Sequence, residues 1–370
     1  MRRLVCVVMM LAAVPAWAAT KMTVEQLQQK LADLQKAGKS DEDVATELKQ
    51  VELTEEMTHT AEQKLAQLIP GEQSTEQLFI LQGRSAFLPP PASSIPPAPA
   101  PDEATQKQIL SKAMDYAMKV YAALPAFEAT KSTARFQDDL TNSSSAPGLD
   151  VPGPNTFVRM SEAQTEQVTI DKGVEKPESK EKVSWGENGK ISPQGPPPSL
   201  ETVLGEASAN GKAVWERWQM VGGKQVAVFS IQVDKKKSHY AVDYCCFPHT
   251  NTASGVATQG TFAPVPGEIQ SVTAYRPFKK TVGYHGEVFI DPDSGATLRL
   301  ILHADLKPSD YVHQEAVRID YSPATVDGKE YVLPLAGFTL SEVVPNADSS
   351  AYSVRHLLLN DTYTRYMLQK

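Results

Sequence analysis

Cysteine is scarce. The 370-residue chain has three, at positions 6, 245 and 246, too few to staple a fold, so a hydrophobic core must hold it together. There is no basic excess: 36 Lys and Arg stand against 44 Asp and Glu, a formal net charge of −8. That balance argues against nucleic acid as a partner and against an electrostatic membrane anchor. Long apolar runs are missing beyond the first few residues, so nothing later reaches the roughly 20 apolar residues that a membrane-spanning helix needs. Strong catalytic, metal and cofactor motifs are missing too, and no cofactor is expected. With 41% hydrophobic and 22% charged residues, the composition is that of a folded globular chain.

What is present begins with Arg2 and Arg3, an apolar run from Leu4 to Val14 and the small-x-small triplet Ala16-Trp17-Ala18. This is the arrangement of a secretory signal, with cleavage expected after Ala19 and a periplasmic or extracellular destination. Cys6 lies at the start of the apolar run, the wrong place for lipid attachment, and reads as apolar filler. Lys235-Lys236-Lys237, the densest basic run, falls between strand-like segments and reads as a solvated hairpin turn.

From Thr23 to about Ile80 the period is helical, with Val24, Leu27, Leu31 and Leu34, then Met57, Ala61, Leu65 and Leu68, at three- and four-residue spacing. Ser40 and Thr54 are the expected N-caps. These short helices carry one apolar stripe each and are expected to pack on the rest of the chain. Leu88 to Pro101 holds seven prolines in fourteen residues, which predicts an extended, mobile spacer and a domain boundary. Asp102 then caps a helix whose broad stripe runs through Ile109, Leu110, Ala113, Ala117, Val120, Tyr121 and Leu124 and which Pro125 ends.

After that helix the period becomes two. Strands are expected at Phe157–Ile170, Val183–Trp185, Ala213–Val221, Gln225–Val233, Ser238–Cys246, Tyr284–Ile290, Ala296–Ala304, His313–Tyr321, Glu330–Val344 and Ala351–Met367, with a short helix from Ser199 to about Ala209 and mobile loops at Asn142–Asn155 and Glu187–Pro198. Gly222-Gly223 and Asp327-Gly328 are two-residue hairpin signals. If Asp291 to Gly295 is a turn, pairing Ile290 with Ala296 places Tyr284, Val288, Ile290, Leu298, Leu300 and Leu302 on one face and sets Glu287 opposite Arg299. The expected fold is therefore α+β: one curved antiparallel sheet of at least eight strands, an open half-barrel over residues 102–370, packed on the helix after Asp102 and preceded by the small helical region.

The segments Tyr284 to Leu300 (YHGEVFIDPDSGATLRL) and Val326 to Pro334 (VDGKEYVLP), within this order of a helix and some ten strands, resemble exported bacterial proteins of the periplasmic lipoprotein-carrier type. That resemblance implies a half-barrel with a concave apolar surface able to hold acyl chains, and it transfers no functional residue.

Few residues carry chemistry of their own. Cys245 and Cys246, adjacent in an oxidising compartment, either close a vicinal disulfide or remain separate thiols on opposite strand faces. With His249 they make a poor zinc set, because neighbouring strand residues point apart. His285, Glu287 and Arg299 could move protons, but a cross-strand ion pair between Glu287 and Arg299 is the simpler account. Asp291 and Asp293 lack the remaining ligands of a calcium loop. Trp215 and Trp218, three apart, should face opposite ways, one in the core and one near a ligand opening, unless both are core or edge residues. The expectation is thus a non-enzymatic exported protein that binds an apolar ligand or a lipidated partner. The alternatives are a redox or enzymatic protein centred on the cysteine pair and a scaffold that engages another cell-envelope protein.

Overall fold

Two tight turns set the direction of the sheet. Gly222 and Gly223 have φ of 55° and 81°, and Asp327 and Gly328 have 49° and 78°. This is the left-handed backbone that lets two residues reverse a twisted hairpin. Val221 consequently pairs with Lys224 and Val326 with Lys329. The computed structural model describes residues 19–138, 158–176, 191–194, 197–209, 211–250, 273–344 and 354–369. The expected signal segment, the strand at Val183–Trp185 and the loop at Asn142–Asn155 lie outside them.

The N-terminal region contains β1 (Thr20–Met22), α1 (Val24–Lys36), α2 (Asp41–Lys49), β2 (Val51–Leu53), α3 (His59–Ala66) and α4 (Glu72–Ser85). Next come α5 (Glu103–Tyr116), β3 (Phe127–Asp138), β4 (Val158–Asp171), β5 (Val174–Lys176), β6 (Ser192–Pro193), α6 (Leu200–Ala209), β7 (Lys212–Val221) and β8 (Lys224–Val233). The chain continues with β9 (Ala241–Thr250), β10 (Thr273–Thr281), β11 (Tyr284–Ile290), β12 (Thr297–Ala304), β13 (Val312–Val326), β14 (Lys329–Val343) and β15 (Arg355–Leu368). Ten strands form one open antiparallel sheet in the order β5-β4-β3-β15-β14-β13-β12-β11-β8-β7. The fold is α+β. Three strands depart from the single-sheet expectation: β9, which covers most of Ser238–Cys246, pairs with β10 and β6 in a small second sheet.

Each face of the large sheet is covered by a different layer. On the inner face, Ile109, Ala113, Ala117 and Tyr121 of α5 and the turn after it pack with Leu200, Val203 and Leu204 of α6 and with Val288, Leu300 and Leu302 of the sheet. Asp102 caps α5 by accepting from the Thr105 amide at 2.7 Å. The helix ends in a π turn, Ala117–Tyr121, where the Ala122 amide reaches back to the Ala117 carbonyl at 3.0 Å. The outer face is covered by the N-terminal region, which also builds its own core from Leu27, Leu31, Val44, Leu48, Leu65 and Leu78. Ile80 of α4 packs there against Phe136, Val158 and Leu358. Ser40 caps α2 as expected, whereas Thr58, not Thr54, caps α3; the Thr54 hydroxyl donates instead to the Met22 carbonyl.

The Leu88–Pro101 segment lies against the large sheet rather than apart from it. The Pro89 carbonyl accepts from the Glu56 amide at 2.8 Å, and the Pro99 carbonyl accepts from the Trp218 indole at 2.9 Å. Proline-rich backbone keeps free carbonyls, and the Trp218 indole on the edge strand β7 and the Glu56 amide of the N-terminal region use them.

A four-charge cluster joins the outer face to the N-terminal region. Glu56, 3% exposed, accepts from Arg299 Nη1 at 3.0 and 3.1 Å and lies 2.9 Å from Arg318 Nη1. Asp320 accepts from Arg299 Nε at 2.5 Å and from Arg318 Nη2 at 2.7 Å, and Arg318 also donates to the Ala86 carbonyl. Burial pushes the Asp320 carboxyl upward, but the two guanidinium groups outweigh it and hold the group at about 2. Removing one member of such a set leaves buried charge unpaired. Glu56→Gln is therefore expected to lower the unfolding free energy by about 3 kcal/mol, read as a lower urea midpoint. In the unsubstituted protein the Asp320 share is present above its ordinary value of 3.8 and is lost as pH falls through about 2. An unchanged midpoint in Glu56→Gln would show that the cluster holds nothing together.

Candidate functional site

A cavity of about 310 Å³ opens on the inner face of the sheet. Its floor is two cross-strand rows: Val317, Thr339 and Leu359, then Ile319, Gly337, Asp361 and Thr133. Its roof is Pro193 and Gln194, Pro197 to Leu200 at the entry to α6, and Tyr240, Ala241 and Asp243 at the start of β9. Gly337 makes the room. It sits mid-strand between Ile319 and Asp361, and a Cβ there would rest in ordinary van der Waals contact, 3.6 Å from the Asp361 side chain, so a side chain can be added on the cavity floor without a clash at its first atom.

The wall is amphipathic rather than uniformly apolar. Ile170, Val317, Ile319 and Leu359 share it with the rings of Tyr240, Tyr321 and Tyr363. At one end the Lys131 ammonium stands 3.0 Å from Glu175 and 3.6 Å from Asp361. Tyr363 donates to Glu175 at 2.8 Å and Thr133 to Asp361 at 2.6 Å. Burial raises the Asp361 carboxyl, an effect that Lys131 and Thr133 only partly reverse. Burial works against the Lys131 charge, but Asp361 and Glu175 more than restore it. At the other end Glu315, on β13, accepts from the Tyr240 hydroxyl at 2.6 Å. Burial pushes Glu315 up despite its bonds from Tyr240 and Tyr244.

The residues singled out from sequence fall elsewhere. Trp215 and Trp218 share one side of β7, with rings 4.9 Å apart and Trp215 also edge-on to Phe229. A β-bulge at Glu216 adds one residue between them, because Trp215 pairs with Phe229 and Arg217 with Val228, and this reverses the expected opposition. Neither lines the cavity.

Glu287 does not meet Arg299. The turn runs one residue longer, from Asp291 to Ala296, and Leu298 bulges from β12, so Glu287 stands opposite Ile301 and Arg299 opposite Phe289. Glu287 instead takes two bonds from Arg217, at 2.6 and 2.9 Å, and Arg299 goes to Glu56 and Asp320. A slip of two keeps Tyr284, Val288, Ile290, Leu300 and Leu302 together in the inner core, but bulged Leu298 joins Phe289, Val226 and Val228 in a different cluster. His285 stacks on His303 with rings 5.3 Å apart and bonds Asp305 at 2.9 Å.

Cys245 is disulfide-bonded and 6% exposed; the side chains of Cys246, Cys6 and His249 lie outside the described residues. Among the described residues, no group of three or more His, Cys, Asp or Glu side chains is placed to hold a metal ion, and no helix is long and apolar enough to cross a membrane. Asp291 and Asp293 form a turn on which α5 rests, Lys112 donating to the Pro292 carbonyl at 2.9 Å.

Comparison with models of protein families, with curated proteins and with solved structures returns no match. The cavity residues Lys131, Glu175, Glu315, Gly337 and Asp361 carried no motif in the sequence. The one local signal was a glycine inside the strand pattern Leu335-Ala336-Gly337-Phe338.

Lys131→Met tests whether the wall is held by charge. It should cost about 3 kcal/mol of stability at pH 7, because Asp361 and Glu175 lose the ammonium that stands between them. The deficit should shrink as pH falls, because burial raises the Asp361 carboxyl and the folded protein can then protonate it. A deficit independent of pH would assign the loss to packing instead.

Proposed function

We propose that this is an exported, non-enzymatic binding protein that holds a small ligand with an apolar body in the inner-face cavity. The observation that carries the reading is the cavity itself. At about 310 Å³ it reaches the size range of ligand sites, and its mixed lining of aliphatic, tyrosine and a few convergent polar groups is the usual one for such sites. The open antiparallel sheet packed on a helix is compatible with the half-barrel expected from sequence, although the small second sheet over the cavity was not part of that expectation, and a recess between them supports a role in holding an acyl chain or a comparable apolar group. The polar ends of the cavity favour an amphipathic ligand over a purely hydrocarbon one, since buried polar groups need partners. The buried position of Cys245 weighs against a redox centre that works on an external substrate.

Binding of the neutral naphthalene dye prodan tests this. Saturable binding with a blue-shifted emission is expected, and Gly337→Leu, which fills the cavity from its floor, should weaken it about tenfold with little change in urea midpoint. Dye binding that Gly337→Leu leaves intact would place the dye elsewhere and contradict the reading.

A further inference from the structure

We propose that the ligand of the inner cavity carries a positively charged nitrogen on its apolar body. The inference rests on the cavity being a ligand site and adds the charge of the ligand. Three carboxylates line the cavity, Glu175, Asp361 and Glu315, and Lys131 is the one ammonium among the lining residues. Asp243 at the rim is paired with Lys279 at 2.7 Å, and the Arg318 guanidinium is committed to Glu56 and Asp320 on the opposite face. By formal count the cavity therefore has more acidic than basic groups, and an anionic headgroup would meet carboxyl groups at both ends.

Glu315 is the sharpest point of this excess. It is 5% exposed, and its bonds come from the neutral hydroxyls of Tyr240 and Tyr244. No cation stands within ion-pair distance of it among the described residues. A buried carboxylate without a counter-ion is costly, and a glutamine could accept the same tyrosine bonds without that cost. The cost is offset if a ligand supplies the missing positive charge.

The protein already shows how this wall holds an ammonium. Lys131 sits between Glu175 and Asp361 and 5.8 Å from the centre of the Tyr363 ring. Tyr240 and Tyr321 also line the cavity, and tyrosine rings attract organic cations over their faces. Carboxylate and tyrosine together define a site for a primary or quaternary ammonium.

Two probes with the same ten-carbon tail separate head from tail: decyltrimethylammonium and decyl sulfate, titrated below their micelle concentrations by calorimetry into the full protein. The ammonium is expected to bind about tenfold tighter than the sulfate. Glu315→Gln should close most of that gap while leaving the melting temperature equal or higher. Gly337→Leu should abolish binding of both. Equal binding of the two probes, or tighter binding of the sulfate, with Gly337→Leu still abolishing both, would overturn the charge assignment and leave the cavity reading standing. Ammonium binding indifferent to Gly337→Leu, or no binding of either probe, would overturn both.

Discussion

The paired charges of Glu56, Arg299, Arg318 and Asp320 are the constraint on which the arrangement of layers depends. A ten-stranded sheet exposes two faces, and this one carries two arginines in the middle of its outer face. Their guanidinium groups stack near Phe289 and Phe338, at 5.3 and 5.4 Å, and Asp320 alone supplies one negative charge for two positive ones. Glu56, from the N-terminal region, supplies the second. The outer layer is thus selected by charge as well as by the apolar contact of Ile80 with Leu358, and Arg318 further ties it through the Ala86 carbonyl. Buried ion pairs do little for net stability compared with apolar packing, but they penalise any arrangement that separates them. That property suits a contact between segments more than two hundred residues apart.

With the outer face closed in this way, the inner face is left to vary. Most of it is filled by α5 and α6. Where those helices do not reach, between β6, β9 and the middle of β13, β14 and β15, the floor is lowered by Gly337 and the space remains open. The same sheet therefore carries a rigid outer seam and an inner cavity, and two carboxylates of the cavity, Glu315 and Asp361, lie on strands β13 and β15, whose outward side chains Arg318 and Leu358 are held by the N-terminal region. A site held by such a scaffold needs little rearrangement when occupied, which favours affinity.

Local chemistry made much of the fold legible. The Gly222-Gly223 and Asp327-Gly328 turns, the Asp102 cap, the change of period after Pro125 and the apolar stripe of α5 follow from residues within a few positions of one another. The features that escaped are those that local pattern cannot encode. A bulge at Glu216 turned Trp215 and Trp218 to the same side, and another at Leu298, with a turn one residue longer, moved Glu287 away from Arg299. Their true partners, Arg217 and Glu56, are 70 and 243 residues distant. Phe127–Asp138 holds Thr, Lys, Ser and Arg in place of a clean alternation and did not announce β3, which provides Lys131 and Thr133. The proline segment was legible as extended chain, but not as a strap fastened by Trp218. The cavity was the least legible feature of all, because its residues come from eight strands and the entry to α6, and none carries a motif.

The central claim is that the inner cavity is occupied in the cell. Native mass spectrometry of the protein isolated from cells that make it naturally tests this most directly. The account predicts an added mass that is released on denaturation and is missing from Gly337→Leu prepared in the same way. The bare mass of the polypeptide alone, in both proteins, would contradict it.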